Sequence, residues 1–211
     1  MAATKAQRIG IWAIAAFMLV GTVGSFIAIV LANSNQQTDK ELAQAEYSKY
    51  QKQVADQETE LSAKYFDTFN QYANRPTAFD AASVTELKTN DLVVGDGDTL
   101  TEESSFTAYY LGWNPTGKVF DGSIEGTRLK APFSVTPGGV IEGWTKGAVG
   151  MKVGGIRELT IPSAQAYGET GSGEDIPANT PIKFIVMVIP TPKQIEPSAK
   201  LIQYYNAGLI N

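Results

Sequence analysis

The first hydrophobic segment of the chain is a long run without charged residues. Residues 9–32 contain 24 positions and no charged side chain. As a helix rising ~1.5 Å per residue, the segment would extend ~36 Å, enough to cross a bilayer. Lys5 and Arg8 precede it, which predicts a single transmembrane helix with residues 1–8 in the cytoplasm and the chain after Asn33 outside. A cleaved signal peptide stays open as the alternative, although the apolar core of such peptides is usually only about 7–15 residues long.

A second helical pattern follows the polar stretch 33–38, which we predict to be an exit loop. Residues 39–74 contain neither Gly nor Pro. The apolar side chains of this segment recur mostly at helical spacings; they are Leu42, Tyr47, Tyr50, Val54, Leu61, Tyr65, Phe69 and Tyr72. The pattern predicts a helical stalk that ends before Pro76, so that residues 33–83 form a loop and stalk. The stripe suits weak dimerisation through the stalk or packing back on the following domain, and the sequence leaves both open.

From residue 84 the pattern changes to short extended runs. Strands are predicted at 84–87, 92–94, 105–113, 118–121, 132–136, 155–162 and 182–189, with a short helix at 142–149 and a Gly- and Pro-rich loop at 163–181. Several antiparallel strands and one short helix indicate an α+β fold, a curved antiparallel sheet wrapped on the helix. The tail, residues 193–211, shows one short helical pattern. The predicted order is therefore transmembrane helix, stalk, α+β domain 84–192 and tail.

Aromatic side chains recur in these strand-like runs, far apart in sequence. Tyr110, Phe120 and Phe184 lie within predicted strands, and Trp144 lies in the short helix of the stretch Val140-Ile141-Glu142-Gly143-Trp144. Single aromatic residues in strands are usually core residues. Taken together, these rings are predicted to converge over Trp144 and to form an apolar pocket.

Composition narrows the chemistry that such a pocket could perform. The chain has no Cys and no His. Thiol chemistry and Ser-His-Asp or Cys-His catalysis are therefore excluded, as are the usual zinc ligands. The net charge of −5 gives no basic footprint for nucleic acid.

The motifs of residues 84–192 carry a specific resemblance. In order along the chain they are Tyr110-x-Gly112, Gly117-Lys118-Val119-Phe120-Asp121-Gly122-Ser123, Pro132-Phe133, Val140-Ile141-x-Gly143-Trp144, Met151-x-Val153-Gly154, Ile161-Pro162, Ala166-Tyr167-Gly168, Ile176-Pro177 and the strand of Phe184. This segment resembles the FKBP-type peptidyl-prolyl cis–trans isomerases, here in a membrane-anchored, bacterial-type form. The resemblance covers about half of the chain.

The resemblance implies a role for each matching residue. The catalytic pocket is expected to contain Tyr110, Phe120, Asp121, Phe133, Val140, Ile141, Trp144, Tyr167 and Phe184. Trp144 would form its floor, and the Ile141 N–H and the Tyr167 hydroxyl would bond to substrate carbonyls. Asp121 would be the one acidic group at the pocket edge, although its carboxylate also suits a turn cap for Gly122-Ser123. Ile176 would cover the substrate, and Arg128 would be the basic partner of Asp121.

The implied activity is that of a rotamase that needs no metal or cofactor. Its partners would be Pro-containing polypeptides, and macrolides of the tacrolimus or rapamycin type would bind in the pocket. With a membrane anchor, the protein would assist the folding of exported proteins at the cell membrane. The alternative is a non-catalytic FKBP-like chaperone that binds Pro-containing or unfolded segments. The unusual segment Pro137-Gly138-Gly139 favours that alternative.

Overall fold

The computed structural model describes the backbone of residues 5–210 and the side chains of residues 36–210. In chain order the elements are α1 Lys5–Asn70, β1 Lys88–Val93, β2 Phe106–Trp113, β3 Val119–Gly122, β4 Ile124–Glu125, β5 Arg128–Leu129, β6 Phe133–Val135, α2 Glu142–Ala148, β7 Ile156–Ile161, β8 Ile182–Ile189 and α3 Ala199–Asn206. Short 3₁₀ turns lie at Ala81–Ser83 and Ser163–Gln165.

Helix α1 runs through the polar stretch 33–38. The predicted exit loop is therefore wrong. The stretch is polar, but it contains neither Gly nor Pro, so nothing in it interrupts backbone hydrogen bonding. The predicted transmembrane segment, residues 9–32, lies outside the residues whose side chains are described. Within the described part of the chain, no helix has an apolar stretch long enough to cross a membrane.

The chain forms two compact units. One comprises the chain up to Val54 together with the C-terminal residues from Ile195 onward, and the other comprises Ala55–Gln194. In the first unit, α3 begins with a side-chain cap, because the Ser198 Oγ accepts a hydrogen bond from the Leu201 N–H at 3.1 Å. Leu201 and Tyr204 are its buried side chains.

The second unit is built on one antiparallel sheet. Its strand order is β1-β7-β8-β2-β3. Strand β3 pairs with residues 111–113 of β2, and β6 pairs with residues 106–108 along the same edge of β2. Strands β4 and β5 form a separate two-stranded hairpin between β3 and β6. The predicted antiparallel α+β fold is confirmed. The hairpin was not predicted, because each of its strands has only two residues and no periodic pattern can appear in so few.

The central strands β2 and β8 are buried on both faces of the sheet. On the inner face, defined here as the face that packs on α2, the buried side chains are Phe106, Ala108, Ile182, Phe184, Val186 and Val188. On the opposite, outer face they are Tyr109, Leu111, Trp113, Ile185, Met187 and Ile189. This is why neither strand alternates between apolar and polar residues.

The last turns of α1 cover the outer face. Phe69 is fully buried there, and its ring lies 6.4 Å from the Tyr109 ring. The Tyr65 ring centroid lies 6.0 Å from that of Tyr109, and Phe66 packs on the buried side chains of the outer face. The Ser62 hydroxyl also accepts a hydrogen bond from the Leu129 N–H of β5 at 2.8 Å. Of the two alternatives for the apolar stripe, the structure shows packing back on the domain for these turns.

One predicted strand lies elsewhere. Residues 84–87 are not extended in the sheet, because they follow the 3₁₀ turn Ala81–Ser83, which Asp80 caps by accepting a hydrogen bond from the Ala82 N–H at 3.0 Å. The first strand begins instead at Lys88 and pairs with β7. The apolar residues of 84–87 predicted a strand from local propensity, and the capped turn overrides that preference.

Helix α2 lies directly against β7 because glycines remove the side chains between them. A Cβ atom on Gly143 would lie 2.3 Å from Ile161 Cγ2, and one on Gly147 would lie 2.8 Å from Leu159 Cδ2. The side chains of Leu159 and Ile161 point to the inner face of the sheet, as does that of Arg157. The close approach brings Trp144, which follows Gly143, into the inner core, where it is 4% exposed.

An ion pair joins β1 and β7, the two strands at one edge of the sheet. The Arg157 guanidinium donates to both carboxylate oxygens of Asp91, at 2.6 and 3.0 Å. This hydrogen bonding holds the pKa of Asp91 below its ordinary value of 3.8, against the smaller opposing effect of burial. Since the folded-state pKa is lowered, the ion pair stabilises the fold above the unfolded-state pKa and loses its contribution as the pH falls through the lowered value.

We therefore expect Asp91→Asn to be less stable than the wild type at pH 7 by about 1 kcal/mol, the upper range for a pair open to solvent on one side. The difference should shrink as the pH falls below the ordinary carboxyl pKa of 3.8. Urea unfolding at pH 7 and at acid pH measures it. Glu86→Gln is the matched control, because Glu86 faces Lys88 at 3.8 Å with both side chains largely exposed. A pH-independent loss in Asp91→Asn would contradict the prediction.

Candidate active site

An aromatic cavity opens on the inner side of the sheet. Its volume is about 520 Å³, and its lining comprises Tyr110, Phe120, Asp121, Phe133, Gly138, Gly139, Val140, Ile141, Trp144, Tyr167 and Phe184. The structure thus brings all nine residues predicted for the catalytic pocket around one cavity. They come from four strands, one helix and two loops, so only the tertiary fold makes them neighbours.

Trp144 lies at the centre of the aromatic group. Its ring centroid is 5.2 Å from that of Phe184, 5.4 Å from Tyr110 and 6.2 Å from Phe133, each in an edge-to-face arrangement. Such contacts add to the stabilisation that burial provides. Phe133 is 40% exposed, whereas Trp144 and Phe184 are each 4% exposed. The floor of the cavity is therefore buried, and the Phe133 ring lies at its open rim.

Gly112 creates the space for two of these rings. It pairs with Phe184 on β8 and with Asp121 on β3. A Cβ atom at this position would lie 2.4 Å from Phe184 Cε1 and 2.8 Å from Phe120 Cζ. Both rings fold over the glycine and meet each other edge-to-face, with centroids 5.5 Å apart. The absence of a side chain at residue 112 is thus a requirement of the cavity wall.

We expect Gly112→Ala to push the Phe120 and Phe184 rings out of place and to destabilise the fold by about 1–3 kcal/mol, the usual cost of overpacking. Urea unfolding measures the stability, and aromatic NMR resonances of Phe120 and Phe184 report the displacement. Gly126→Ala provides a comparison, because a methyl group on Gly126, in the β4–β5 turn, would meet no atom within 4 Å, although the φ of +60° there adds backbone strain. Unchanged ring resonances in Gly112→Ala would refute the prediction.

Asp121 is held in place from two sides. Its Oδ2 accepts a hydrogen bond from the Tyr110 hydroxyl at 2.6 Å, and its Oδ1 accepts one from the Gly122 N–H at 2.8 Å. The carboxylate therefore bonds the backbone at the end of β3 and also lines the cavity wall. Burial raises the pKa of Tyr110, and its hydrogen bond to Asp121 raises it further. The Tyr110 hydroxyl consequently stays protonated and orients the ring.

Two hydrogen-bond donors at the cavity have no acceptor among the described residues. One is the backbone N–H of Ile141, and the other is the hydroxyl of Tyr167. Burial raises the pKa of Tyr167, and the nearby Asp121 charge adds to the effect, so this hydroxyl is a donor at neutral pH. The loop of Tyr167 is fixed by the Gly168 N–H, which donates to the Ser163 carbonyl at 2.8 Å. Both residues line the cavity, so the site offers two unpaired donors beside an apolar floor.

Two predicted site residues lie outside the lining. Arg128 forms an ion pair with Glu125 on the β4–β5 hairpin and does not contact Asp121, so the expected pairing is corrected. The hairpin inserted between β3 and β6 gives Arg128 a nearer carboxylate. Ile176 is 4% exposed and packs in the inner core, and its loop is held by Asn114 Nδ2, which donates to the Asp175 carbonyl at 2.9 Å.

Two lining residues were not predicted as part of the site. Gly138 and Gly139 border the cavity, and Gly138 has a φ of +74° within a turn closed by the Gly139 N–H, which donates to the Thr136 carbonyl at 3.0 Å. The Pro-Gly-Gly sequence signalled the turn but not its place at the rim. Among the described residues, no group of three or more acidic, His or Cys side chains could hold a metal ion.

Comparison with known proteins gives matches over the same segment. Residues 97–189 match the model of a family described as FKBP-type peptidyl-prolyl cis-trans isomerase. An FK506-binding protein of Neisseria meningitidis serogroup A is 39% identical over 101 residues, which cover 47% of this chain and 90% of that protein. FK506-binding protein 4 of Rhizopus delemar is 40% identical over 99 residues, but these span only 25% of its length. A solved peptidyl-prolyl cis-trans isomerase from Pseudomonas syringae pv. tomato is 30% identical, with 64% of this chain and 96% of that chain covered and a TM-score of 0.45.

Proposed function

The chain belongs to the FKBP-type peptidyl-prolyl cis-trans isomerase family, and from that premise we propose that its aromatic cavity catalyses rotation about X–Pro bonds in polypeptides. The observation that carries this proposal is the combination of an apolar ring floor with two positioned donors. Trp144 and Phe184 supply the floor, and Ile141 N–H and Tyr167 OH supply the donors. The cavity requires no nucleophile for this reaction.

The physical argument starts from the amide bond itself. Resonance gives the X–Pro bond double-bond character, so its rotation meets a barrier of ~18–20 kcal/mol. At a twist near the midpoint of the rotation the resonance is lost, and the carbonyl is less charge-separated than in the planar form. Such a twisted amide therefore loses less hydration free energy on leaving water than a planar amide does. An apolar aromatic cavity therefore favours the transition state over the ground state, which is the condition for catalysis.

The two donors complete the mechanism by holding a neighbouring carbonyl while the bond turns. A thousandfold acceleration requires a barrier lower by about 4 kcal/mol. Burial of a proline ring contributes about 1.5–3 kcal/mol, and each hydrogen bond about 0.5–1.5 kcal/mol. These contributions accelerate the reaction only where they are stronger in the twisted state than in the planar one. Apolar burial and two hydrogen bonds are thus of the right size for the activity.

Isomerisation of a set of X–Pro peptides by the full chain in detergent tests the proposal. We expect turnover, and we expect tacrolimus to compete for the same cavity. Tyr167→Phe should reduce turnover, because it removes one of the two donors while it keeps the ring. A folded sample with no turnover on any peptide would reject the isomerase function. Suppression of aggregation of an unfolded client by that sample would then favour the non-catalytic chaperone.

We also propose that residues 9–32 anchor the protein in the cell membrane, with the cavity on the extracytoplasmic side and exported polypeptides as its clients. Support comes from the 24 uncharged residues of this segment and from the basic residues Lys5 and Arg8 before it. Macrolides of the tacrolimus or rapamycin type would reach the cavity from the same side.

The absence of native Cys makes the orientation testable with single introduced thiols. Glu103 is exposed in the second unit, so Glu103→Cys should react with a membrane-impermeant maleimide on intact cells. Ala3→Cys should react only after lysis. Labelling of Ala3→Cys but not Glu103→Cys on intact cells would reverse the proposed orientation, and recovery of all the protein in the soluble fraction would exclude the anchor.

A further inference from the structure

One buried charge lies outside the lining of the cavity. Arg157 on β7 is 7% exposed, and among the described residues it is the charged member of the buried polar set, which otherwise contains Ser, Thr and Asn side chains. A buried guanidinium is unfavourable unless its N–H groups are paired. The partners of Arg157 therefore indicate what the fold gains from keeping the charge inside.

The guanidinium bridges two elements. Its Nε and Nη2 donate to the Asp91 carboxylate on β1. Its Nη1 donates to the Gly147 carbonyl at 2.8 Å and to the Val149 carbonyl at 2.9 Å. Gly147 lies in the last turn of α2, and Val149 immediately follows that helix. Arg157 thus binds the carbonyl end of the helix on one side and a strand carboxylate on the other.

Helix α2 depends on such an anchor. It has seven residues, and its N-cap, Ile141, makes no side-chain hydrogen bond. Isolated helices of this length are unstable in water, so tertiary contacts must fix it. The last carbonyls of any helix lack partners within the helix, and a positive charge there is favourable. Arg157 provides both the charge and the donors.

The position of α2 determines the floor of the cavity. Trp144 lies one turn before Gly147, and its ring is wedged among Tyr110, Phe133 and Phe184 at centroid distances of 5.2–6.2 Å. The glycine contacts with β7 fix how closely the helix approaches the sheet, and the apolar contacts with Leu159 and Ile161 have no directional preference. The hydrogen bonds that Arg157 donates to Gly147 and Val149 are directional, and they hold the carbonyl end of the helix.

We propose that Arg157 is a positioning residue for the reaction: by holding the carbonyl end of α2, it sets the place of the Trp144 ring against the twisting proline. The inference rests on the isomerase function proposed above. It also assigns a role to Asp91, whose carboxylate holds the guanidinium in the orientation that reaches Gly147 and Val149.

The test uses the full chain in detergent, labelled with 5-fluorotryptophan. The chain has three Trp residues, and the Trp144 resonance is identified by its absence in Trp144→Phe. In Arg157→Met we expect the Trp144 fluorine resonance to shift or broaden while that of Trp113 stays in place. We expect kcat/KM on an X–Pro peptide to fall about tenfold, because small misplacements caused from outside a site can cost up to 10²-fold. Arg157→Lys, which keeps the charge but not the two-sided bonding, should recover part of the loss.

Arg75→Met is the matched control. Arg75 also bonds a residue of β7, since its Nε donates to Glu158 Oε2 at 2.7 Å, but it does so on the outer face, away from α2. This variant should leave both the Trp144 resonance and kcat/KM unchanged. If Arg157→Met behaves as Arg75→Met does in both readouts, the proposal is wrong. Should Arg157→Met fail to fold, Arg157→Lys and Asp91→Asn test the same prediction.

The two readouts separate this proposal from the isomerase function. If the wild type shows no turnover, the isomerase function fails, and the fluorine resonance still shows whether Arg157 places the Trp144 ring. If the wild type turns over and the resonance of Arg157→Met is unmoved, the positioning role fails and the isomerase function stands.

Discussion

Replacing Trp144 with Leu is expected to lower kcat/KM for X–Pro isomerisation by about 10- to 100-fold. The Trp144 ring is the cavity floor, in edge-to-face contact with three other rings. Leu is smaller than the indole, so the proline ring loses a part of the apolar surface against which it would be buried. A loss of about 1.5–3 kcal/mol of burial in the transition state corresponds to roughly this range. Protease-coupled or NMR exchange assays on X–Pro peptides measure the change.

Trp113→Leu is the control that separates a local effect on catalysis from a general loss of stability. Trp113 is 2% exposed, so it is a large buried indole like Trp144. It lies on the outer face of the sheet, whereas the cavity is on the inner side. Both variants should lose stability, by up to about 3–5 kcal/mol, the range measured for large truncations of buried aromatic residues. At a temperature where both remain folded, Trp113→Leu should keep its turnover. Equal losses of turnover in the two variants would contradict the assignment of the floor.

Removing the end of α1 is expected to have the largest effect on stability. A fragment of residues 84–194 would lack Tyr65, Phe66 and Phe69, which cover the outer face. Each large side chain contributes about 1.5–3 kcal/mol when buried, so the fragment should lose roughly 5 kcal/mol or more. Folded domains of this size are stable by only about 5–15 kcal/mol in total. We therefore expect the fragment to be largely unfolded or aggregated, in contrast to a fragment of residues 55–194.

Urea unfolding and binding of a dye to exposed apolar surface compare the two fragments. Phe69→Ala in the longer fragment provides an intermediate case, with an expected loss of about 3–5 kcal/mol, because Phe69 is fully buried. A fragment beginning at residue 84 that unfolds at the same urea concentration as the longer one would show that α1 is only a spacer.

Local sequence predicted much of the cavity because its residues occur in short, ordered motifs. The segments that form β2, β3 and β8 are rich in aromatic and β-branched residues. The consecutive residues Gly143 and Trp144 lie in a short segment with a helical pattern. The partner of Arg128 could not be predicted in the same way. An ion pair depends on which loops lie side by side, and the unpredicted β4–β5 hairpin supplies Glu125.

The sequence by itself determined most of the antiparallel strands, the short helix and the set of rings available for a cavity, since these follow from local propensity and spacing. The tertiary structure decided what each apolar surface meets. The stripe of α1 identifies an apolar helix face but not its partner, because a second chain or the outer face of the sheet would bury it equally well. The role of Arg157 was likewise invisible, since its ligands are backbone carbonyls, which every sequence possesses, and only the fold brings them within 3 Å of its guanidinium.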